Sequence, residues 1–298
     1  SHLVPTVVVV GALVRDYYEG REAAQMFALI GIIMMAVPLV APMLGAELQK
    51  LGGWRAIFVF LLAYAVLLLG LMAGFLPKPA KTEKIGRGIF AVVAGRFKRV
   101  LQTRAAMGYL FFQAFSFSSM FVFLTESSFV YMKLYGVSPR LYAWMFGLNI
   151  ITMATFNRIT AWRLKTGTHP QAILKWGIIV QLGANLLMAV SAAAFDLPPF
   201  WLLVGCVMFS VGTQGLVSAN TQACFMGYFK EEGGSANAVL GVCQSVIGAS
   251  VGMLTTWLHN GTAQIMPFMM LASTVCGIIL LRSCSHQAWK ENSKAAGG

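Results

Sequence analysis

Apolar segments of membrane-spanning length follow one another along most of this chain. The hydrocarbon core of a bilayer is about 30 Å thick, so a helix needs about 20 apolar residues to cross it. Eight full segments meet this length, at roughly residues 25–46, 55–76, 107–132, 142–162, 173–194, 200–222, 236–258 and 264–282. A ninth segment, at residues 3–14, is about half as long. Segments of this length predict an all-α membrane protein.

The composition agrees with a membrane location. Hydrophobic residues make up 58% of the 298 residues and charged residues only 11%. The net charge of +12 would also suit a nucleic-acid-binding protein. However, the Lys and Arg residues lie in short segments beside the apolar ones, which is typical of membrane insertion and of contact with anionic lipid. We therefore expect a lipid bilayer as the partner and no nucleic acid.

A basic linker at residues 77–106 divides the apolar segments into two groups. It holds 8 of the 22 Lys and Arg residues, and cytoplasmic loops of membrane proteins collect such residues. When the linker is placed in the cytoplasm, 18 of the 22 basic residues fall on the cytoplasmic side. The sequence thus predicts an amino-terminal part at 1–76, the cytoplasmic linker, a carboxy-terminal half at 107–282 and a cytoplasmic tail at 283–298.

The linker also contains a possible amphipathic helix. Phe90, Val93, Phe97 and Leu101 recur at helical spacing, with basic residues off this stripe. The pattern is typical of a helix that lies in the membrane interface. A plain tether between the two halves is the alternative.

The two groups of apolar segments differ in number. Six full segments follow the linker, whereas two full segments and the partial one precede it. Many transporters consist of two matching six-helix halves, each built from inverted three-helix repeats. We therefore expect an N-terminally truncated bundle of twelve helices, in which about three and a half helices lie upstream. The partial segment is then part of helix four, and the full segments are helices five to twelve.

Several short stretches carry a resemblance to a known family. They are ALVRDYY at 12–18, VPLVAPMLG at 37–45, GWRAIF at 53–58, FGLNI at 146–150 and GSANAVLG at 234–241. In their order and spacing, these stretches resemble transporters of the Bcr/CflA drug-resistance type, the bicyclomycin-resistance group of the major facilitator superfamily. The similarity runs nearly from end to end.

The resemblance implies a major facilitator type helical bundle in the bacterial inner membrane. Such a protein exports structurally diverse drugs in exchange for protons by alternating access. Its partners would be a small-molecule drug and protons, and the proton gradient would supply the energy without a cofactor. The family commonly keeps a proton-binding acid in its first three helices, which the resemblance places upstream of residue 1. A major facilitator carrier for a sugar or another small metabolite is the alternative, because fold does not fix substrate.

Two motifs are candidates for gating. The family's helix-five motif covers Pro38, Pro42 and Gly45, with alanine in place of the family's glycine before Pro42. Prolines one turn apart bend a helix, and a glycine one turn further permits close packing. Arg15 and Asp16 correspond to the family's turn after helix four, where ion pairs could hold a cytoplasmic gate closed. A static bend and a solvated loop are the respective alternatives.

Glu126 is the only acid within a full apolar segment, and it stands where the family has a small-Ser-Pro-Phe sequence. A charge at the bilayer centre costs about 2.5–3.5 kcal/mol, so such a residue normally faces a polar interior, pairs or stays protonated. Glu126 is therefore a candidate for binding cationic drugs or protons. The alternative is a side chain that reaches interfacial water.

Polar residues are concentrated in some of the last six helices, which predicts a substrate cavity. Buried amides need hydrogen-bond partners, and a water-filled path supplies them, while aromatic side chains suit varied apolar ligands. Besides Glu126, the candidate lining residues are Gln113, Phe117, Asn149, Gln214, Asn220 and Gln244. Hydrogen bonds between helices are the alternative for each amide. Helices six and twelve have few polar residues and are expected to face lipid.

The sequence predicts neither an enzyme nor a metal site. A membrane enzyme needs acids, histidines or a nucleophile at one depth, but the four histidines lie outside the full segments or at their ends. The five cysteines include no close-spaced pair of the kind that zinc sites use. A channel would need charged rings or repeated filter motifs, and the sequence has neither.

Overall fold

The computed structural model describes residues 20–75, 89–229 and 233–295, which are built from helices without a β-strand. This part of the chain forms nine α-helices and one π-helix: α1 (Gly20–Phe75), α2 (Ile89–Gln102), α3 (Arg104–Ser128), π1 (Phe129–Leu134), α4 (Pro139–Lys165), α5 (Pro170–Ala194), α6 (Phe200–Gly212), α7 (Gln214–Met226), α8 (Gly233–Leu258) and α9 (Ile265–Ala295). The prediction of an all-α fold is confirmed.

Six stretches of the described helices are long and apolar enough to cross a membrane: Glu47–Leu71, Arg104–Leu134, Pro170–Ala194, Phe200–Met226, Ser235–Leu258 and Ile265–Ser285. The predicted span at 142–162 lies in α4, which has 27 residues. Its length suffices, but polar residues such as Asn149 and Arg158 lower its hydropathy. The predicted span at 25–46 lies within the helical backbone of α1.

α1 covers two predicted spans, and its helical backbone is interrupted between them. Gly52 and Gly53 have non-helical backbone angles, and φ of Gly53 is +65°. A positive φ is costly for a residue that has a Cβ atom, so this position favours glycine. The break therefore lies where the first predicted span ends and the second begins.

α3 is the central helix of the carboxy-terminal half. α9 and α8 pack along it most extensively and α7 also contacts it, while α5 packs against α6, α7 and α9. Tyr109, Phe112 and Phe123 of α3 are each at most 1% exposed. Because lipid tails are as apolar as these side chains, such helix association depends on close packing and interhelical hydrogen bonds.

Glycines permit several of the closest approaches between helices. A Cβ atom on Gly277 of α9 would lie 3.1 Å from Phe115 Cβ of α3. A Cβ atom on Gly215 of α7 would lie 2.7 Å from Asn157 N of α4 and even closer to the carbonyl oxygen of Met153. Backbone atoms cannot move aside as a flexible side chain can, so the contact between α4 and α7 requires glycine at 215.

Helix six and one face of helix twelve are exposed, as expected for helices that face lipid. The span Glu47–Leu71 of α1 has 0% of its residues buried, and its Leu62 and Leu69 side chains are each 67% exposed. In α9, by contrast, Ser273 is 4% and Thr274 0% exposed. This face of α9 packs along α3 and α5, whereas Phe268, Val275 and Ile279 on the other face are 37–56% exposed, so only one side of helix twelve is available to lipid.

The linker forms a helix, α2, rather than a plain tether. Val100 of α2 is 0% exposed, and Phe97 packs against the apolar core between α3 and α8. Leu101, which belongs to the predicted stripe, is 52% exposed. The side chains of Phe90 and Val93 lie outside the described residues. One edge of the predicted apolar stripe therefore packs on the bundle.

We predict that Gly215→Ala destabilises the protein, because the added methyl group meets the α4 backbone. Overpacking of this kind typically costs about 1–3 kcal/mol. The matched control is Gly183→Ala on α5, since nothing lies within 4 Å of the Cβ position there. Thermal unfolding of the purified protein in detergent should show a lower midpoint for Gly215→Ala only. Equal midpoints for the two variants would contradict the close contact.

Candidate functional site

Buried amide and hydroxyl groups of α3, α5 and α7 form a continuous chain of hydrogen bonds, which we call the amide chain. Gln113 Nε2 donates to Ser218 Oγ, which donates to Gln214 Oε1, each over 3.1 Å. Gln214 Nε2 donates to the carbonyl and hydroxyl oxygens of Ser116, each 2.9 Å away. Ser116 Oγ donates in turn to Gln181 Oε1 over 2.8 Å. The amide chain thus connects three helices through five side chains.

A second polar cluster lies one turn further along α3 and α5. Asn185 of α5 is 0% exposed. Its Nδ2 atom lies 2.8 Å from Thr274 Oγ1, 3.2 Å from the carbonyl oxygen of Met270 and 3.3 Å from Ser119 Oγ. These contacts connect α5 to α9 and α3, so they stabilise the packing of these three helices.

Buried and half-buried side chains of α3, α7 and α8, most of them polar, lie beside the gap between α7 and α8. α7 and α8 contact each other little, although both pack on α3. Gln222 of α7 donates to Asn237 Oδ1 of α8 over 2.9 Å. A Cβ atom on Gly248 of α8 would lie 3.8 Å from Phe117 Cδ1 of α3, and Gln244 lies one turn away on the same face of α8. The α7–α8 groove, as we call it, comprises Gln113, Phe117, Ser218, Gln222, Asn237 and Gln244.

Glu126 lies apart from this groove, near the end of α3, and is hydrogen-bonded to His259. Its Oε2 atom lies 2.9 Å from His259 Nδ1, and this pair is ionic when the imidazole is protonated. The Glu126 side chain is 5% exposed, whereas the His259 side chain, just after α8, is 32% exposed. The predicted intramembrane acid is therefore buried and paired, and the imidazole separates it from the surface.

The backbone beside Glu126 is irregular. After Ser128, α3 gives way to the π-helix π1, whose first residue, Phe129, contacts the His259 ring edge-to-face with centroids 4.5 Å apart. Ser127 Oγ lies 2.8 Å from Tyr142 Oη, which connects α3 to α4. Single π-turns occur often at functional sites. We refer to Glu126, Ser127, Phe129, Tyr142 and His259 as the Glu126 cluster.

A further tyrosine fixes the loop after π1. Tyr135 Oη donates to the carbonyl oxygen of Pro198 over 2.5 Å. Burial raises the pKa of Tyr135, so the phenol keeps its proton and stays a donor at neutral pH. The loop after π1 is thereby attached to the segment that precedes α6.

Two predicted cavity residues face other helices. Asn149 is 4% exposed and shares a face of α4 with Thr160, which donates to the carbonyl oxygen of Gly215 over 2.9 Å. Asn220 is 0% exposed and donates to the carbonyl oxygen of Leu216 in its own helix over 2.7 Å. Leu216 packs on α5. The structure therefore places Gln113, Phe117 and Gln244 in the α7–α8 groove and Gln214 beside it, but not these two asparagines.

The predicted gating residues lie mostly beyond what the structure describes. Arg15 and Asp16 are outside the described residues. Pro38 and Pro42 lie within the helical backbone of α1, and their side chains are not described. No heavy atom of the described residues lies within 4 Å of a Cβ position on Gly45. The roles of these five residues stay predictions.

Sequence reasoning missed Gln181, Ser218 and His259. Gln181 and Asn185 stand one turn apart in segment 176–190 of α5, which is otherwise apolar, and this spacing indicates an inward polar face. Ser218 stands one turn from both Gln214 and Gln222 on α7, which is the same kind of signal. His259 lies 133 residues from Glu126 in sequence, so only the packing of α8 on α3 brings the two side chains together.

A separate apolar pocket lies between α5 and α6, with a volume of about 440 Å³. Gly183, Gly205 and Trp201 are among its lining residues, and Trp201 is 74% exposed. The lining has no hydrogen-bonding amide or carboxylate side chain, and the pocket is open at the outer surface of the bundle. It therefore suits lipid tails and is not the candidate site.

We predict that Ser116→Ala destabilises the protein, because Gln181 Oε1 loses its donor and Gln214 Nε2 keeps only its hydrogen bond to the backbone carbonyl oxygen of residue 116. An unsatisfied buried group costs about 1–3 kcal/mol. Ser118→Ala is the matched control, since Ser118 is equally buried on α3 but donates only to Ala114 of its own helix, over 2.7 Å. Thermal unfolding in detergent should show the larger loss for Ser116→Ala. A loss of the same size in both variants would contradict a stabilising amide chain.

Comparison with known proteins assigns the family. The model of the Major Facilitator Superfamily matches residues 5–253. The bicyclomycin resistance protein homolog of Haemophilus influenzae is 30% identical over 278 residues, which cover 92% of this chain and 68% of that protein. The chloramphenicol resistance protein of Pseudomonas aeruginosa is 26% identical, with 92% and 64% covered. The multidrug resistance protein MdtL of Shigella flexneri is 25% identical, with 92% and 67% covered. These matches agree with the motif resemblance, and the chain belongs to the major facilitator superfamily.

Proposed function

We propose that this protein exports bicyclomycin-type or other amphipathic drugs in exchange for protons, across the bacterial inner membrane and by alternating access. The observation that carries the proposal is the α7–α8 groove, in which amide groups lie beside the phenyl ring of Phe117. Amide and hydroxyl groups beside an aromatic ring can contact both the polar and the apolar parts of an amphipathic ligand. Relatives named for bicyclomycin, chloramphenicol and multidrug resistance support a drug as the substrate class.

Glu126 supplies the charge recognition in this proposal. A drug cation that displaces His259 meets a carboxylate already held in place, and a proton neutralises the same group. An unpaired carboxylate in an apolar environment is costly, so His259 leaves only as a cation or a proton arrives. Binding of the drug and of the proton thereby compete at one carboxylate. The proton-binding acid implied by the family resemblance is a separate group.

The proposed topology places the linker and the carboxy terminus in the cytoplasm. The concentration of basic residues in segment 77–106 supports this orientation. Lys98 and Arg99 of α2 are exposed, where they can contact anionic lipid headgroups. The Glu126 cluster then lies towards the periplasmic surface. Parts 1–76 and 107–282 belong to the two halves whose relative movement exposes the groove to either side.

We expect bacteria that produce the protein to accumulate less ethidium than cells with an empty vector. An uncoupler should abolish the difference, because the proton gradient drives export. Cellular fluorescence measures accumulation, and immunoblotting of membranes confirms that the protein is present. Unchanged accumulation with and without the uncoupler would contradict proton-driven export.

Glu126→Gln should reduce ethidium efflux by about tenfold, because the amide keeps the shape of the side chain but lacks the charge that holds a cation. Efflux of uncharged chloramphenicol should remain within about twofold of the unmodified protein. Glu47→Gln is the control for the same change at the surface, since Glu47 pairs with Lys50 and is 67% exposed. Equal losses for the cationic and the neutral drug would remove the proposed role of Glu126.

A further inference from the structure

The amide chain has a direction that a backbone atom determines. One end of the Gln214 side chain lies 2.9 Å from the carbonyl oxygen of Ser116. A carbonyl oxygen only accepts hydrogen bonds, so this end of Gln214 must be the NH₂ group. The oxygen of the same amide therefore faces Ser218 Oγ at 3.1 Å. In this way the backbone of α3 fixes the orientation of a side chain on α7.

The orientation of the Gln214 amide also determines that of the Gln113 amide. Ser218 has one hydroxyl proton, and it donates that proton to Gln214 Oε1. Ser218 Oγ must then accept the hydrogen bond from Gln113, so the Gln113 atom 3.1 Å away is Nε2. The other atom of that amide, Gln113 Oε1, is buried and has no hydrogen-bond partner among the residues that the structure describes. The amide chain thus ends in an acceptor whose position the chain itself fixes.

The place of Gln113 suits a ligand contact. The side chain is 4% exposed and lies on α3, at the base of the α7–α8 groove. Its neighbour Ser218 is half-buried, and α7 and α8 contact each other little. A small separation of α7 from α8 would break the hydrogen bond from Gln222 to Asn237 and expose the amide to a ligand, while both helices stay packed on α3.

We propose that Gln113 Oε1 selects ligands that present an N–H or O–H donor, such as a primary amine on an aromatic cation. The inference rests on the proposed drug transport and names the chemical class that the groove prefers. A buried acceptor without a partner gains a hydrogen bond from a donor ligand. A ligand with only acceptors meets like partial charge, and Gln113 cannot rotate its NH₂ group towards it without losing Ser218.

A matched pair of dyes tests the preference in binding alone. The methyl ester of unsubstituted rhodamine carries N–H donors on its nitrogens, and in tetramethylrhodamine methyl ester methyl groups replace those hydrogens. Both dyes are cations of similar shape. Fluorescence polarisation with the purified protein in detergent should show about tenfold tighter binding of the donor dye, the size of one hydrogen bond to a charged donor. Equal binding of the two dyes, or binding of neither, would overturn the proposal.

Two variants distinguish the effect of the acceptor itself from the effect of its fixed orientation. Gln113→Met should reduce binding of the donor dye to the level of the tetramethyl dye, because the acceptor is gone. Ser218→Ala keeps the acceptor but lets the amide rotate, so the preference should fall to about twofold while the donor dye still binds. Gln102→Met, at an exposed site on α2, is the control for the same substitution outside the groove. A tenfold preference that survives in both groove variants would overturn the proposal.

The dye-binding result is independent of transport, because binding in detergent needs no proton gradient. If the protein exports ethidium but binds the two dyes equally, this inference is wrong and the proposed function is not affected. A clear preference without efflux from cells contradicts the proposed function alone.

Discussion

Hydrocarbon offers no hydrogen-bond partner, so a polar side chain that the bundle buries is stabilised by a partner within the protein. Ser116 is such a partner for two glutamines at once, since its hydroxyl donates to Gln181 and its two oxygens accept from Gln214. One of those oxygens belongs to the α3 backbone and can only accept. The orientation of Gln214, and through Ser218 that of Gln113, follows from that single atom. The hydrogen-bonding character of the α7–α8 groove therefore depends on the helical backbone beneath it.

α3 and α8 both contribute residues to the α7–α8 groove, and His259, just after α8, joins α3 in the Glu126 cluster. Gly248 and Gly252 of α8 face Phe117 and Phe121 of α3, with hypothetical Cβ contacts of 3.6 to 3.8 Å. Beyond the end of the same helix, His259 covers Glu126. A displacement of α8 along α3 would therefore alter the groove and the carboxylate together. By this route, binding of a drug in the α7–α8 groove and binding of a cation or proton at Glu126 can influence each other.

The sequence predicts where the helices lie along the chain, but not which helices pack against one another. Apolar length located the long helices of the described residues, the amphipathic stripe located α2, and the glycine pair at 52 and 53 lies between two predicted spans. The polar residues were harder to interpret: Gln113 lies in the groove and Gln214 beside it, whereas Asn149 and Asn220 face helix contacts. All four are amides in similar surroundings along the chain. Periodicity shows that such a residue faces inward, but the partner helix depends on packing.

What the sequence by itself determined is the membrane location, the all-α fold, the family and the presence of one acid within the spans, because each follows from residue type and spacing along the chain. The tertiary structure alone decided that Glu126 meets His259, that the amide chain runs in one direction and that one face of α9 is buried. These features depend on atoms that are far apart in sequence. The backbone geometry that brings helices together at their glycines fixes where those atoms lie, and no local pattern encodes it.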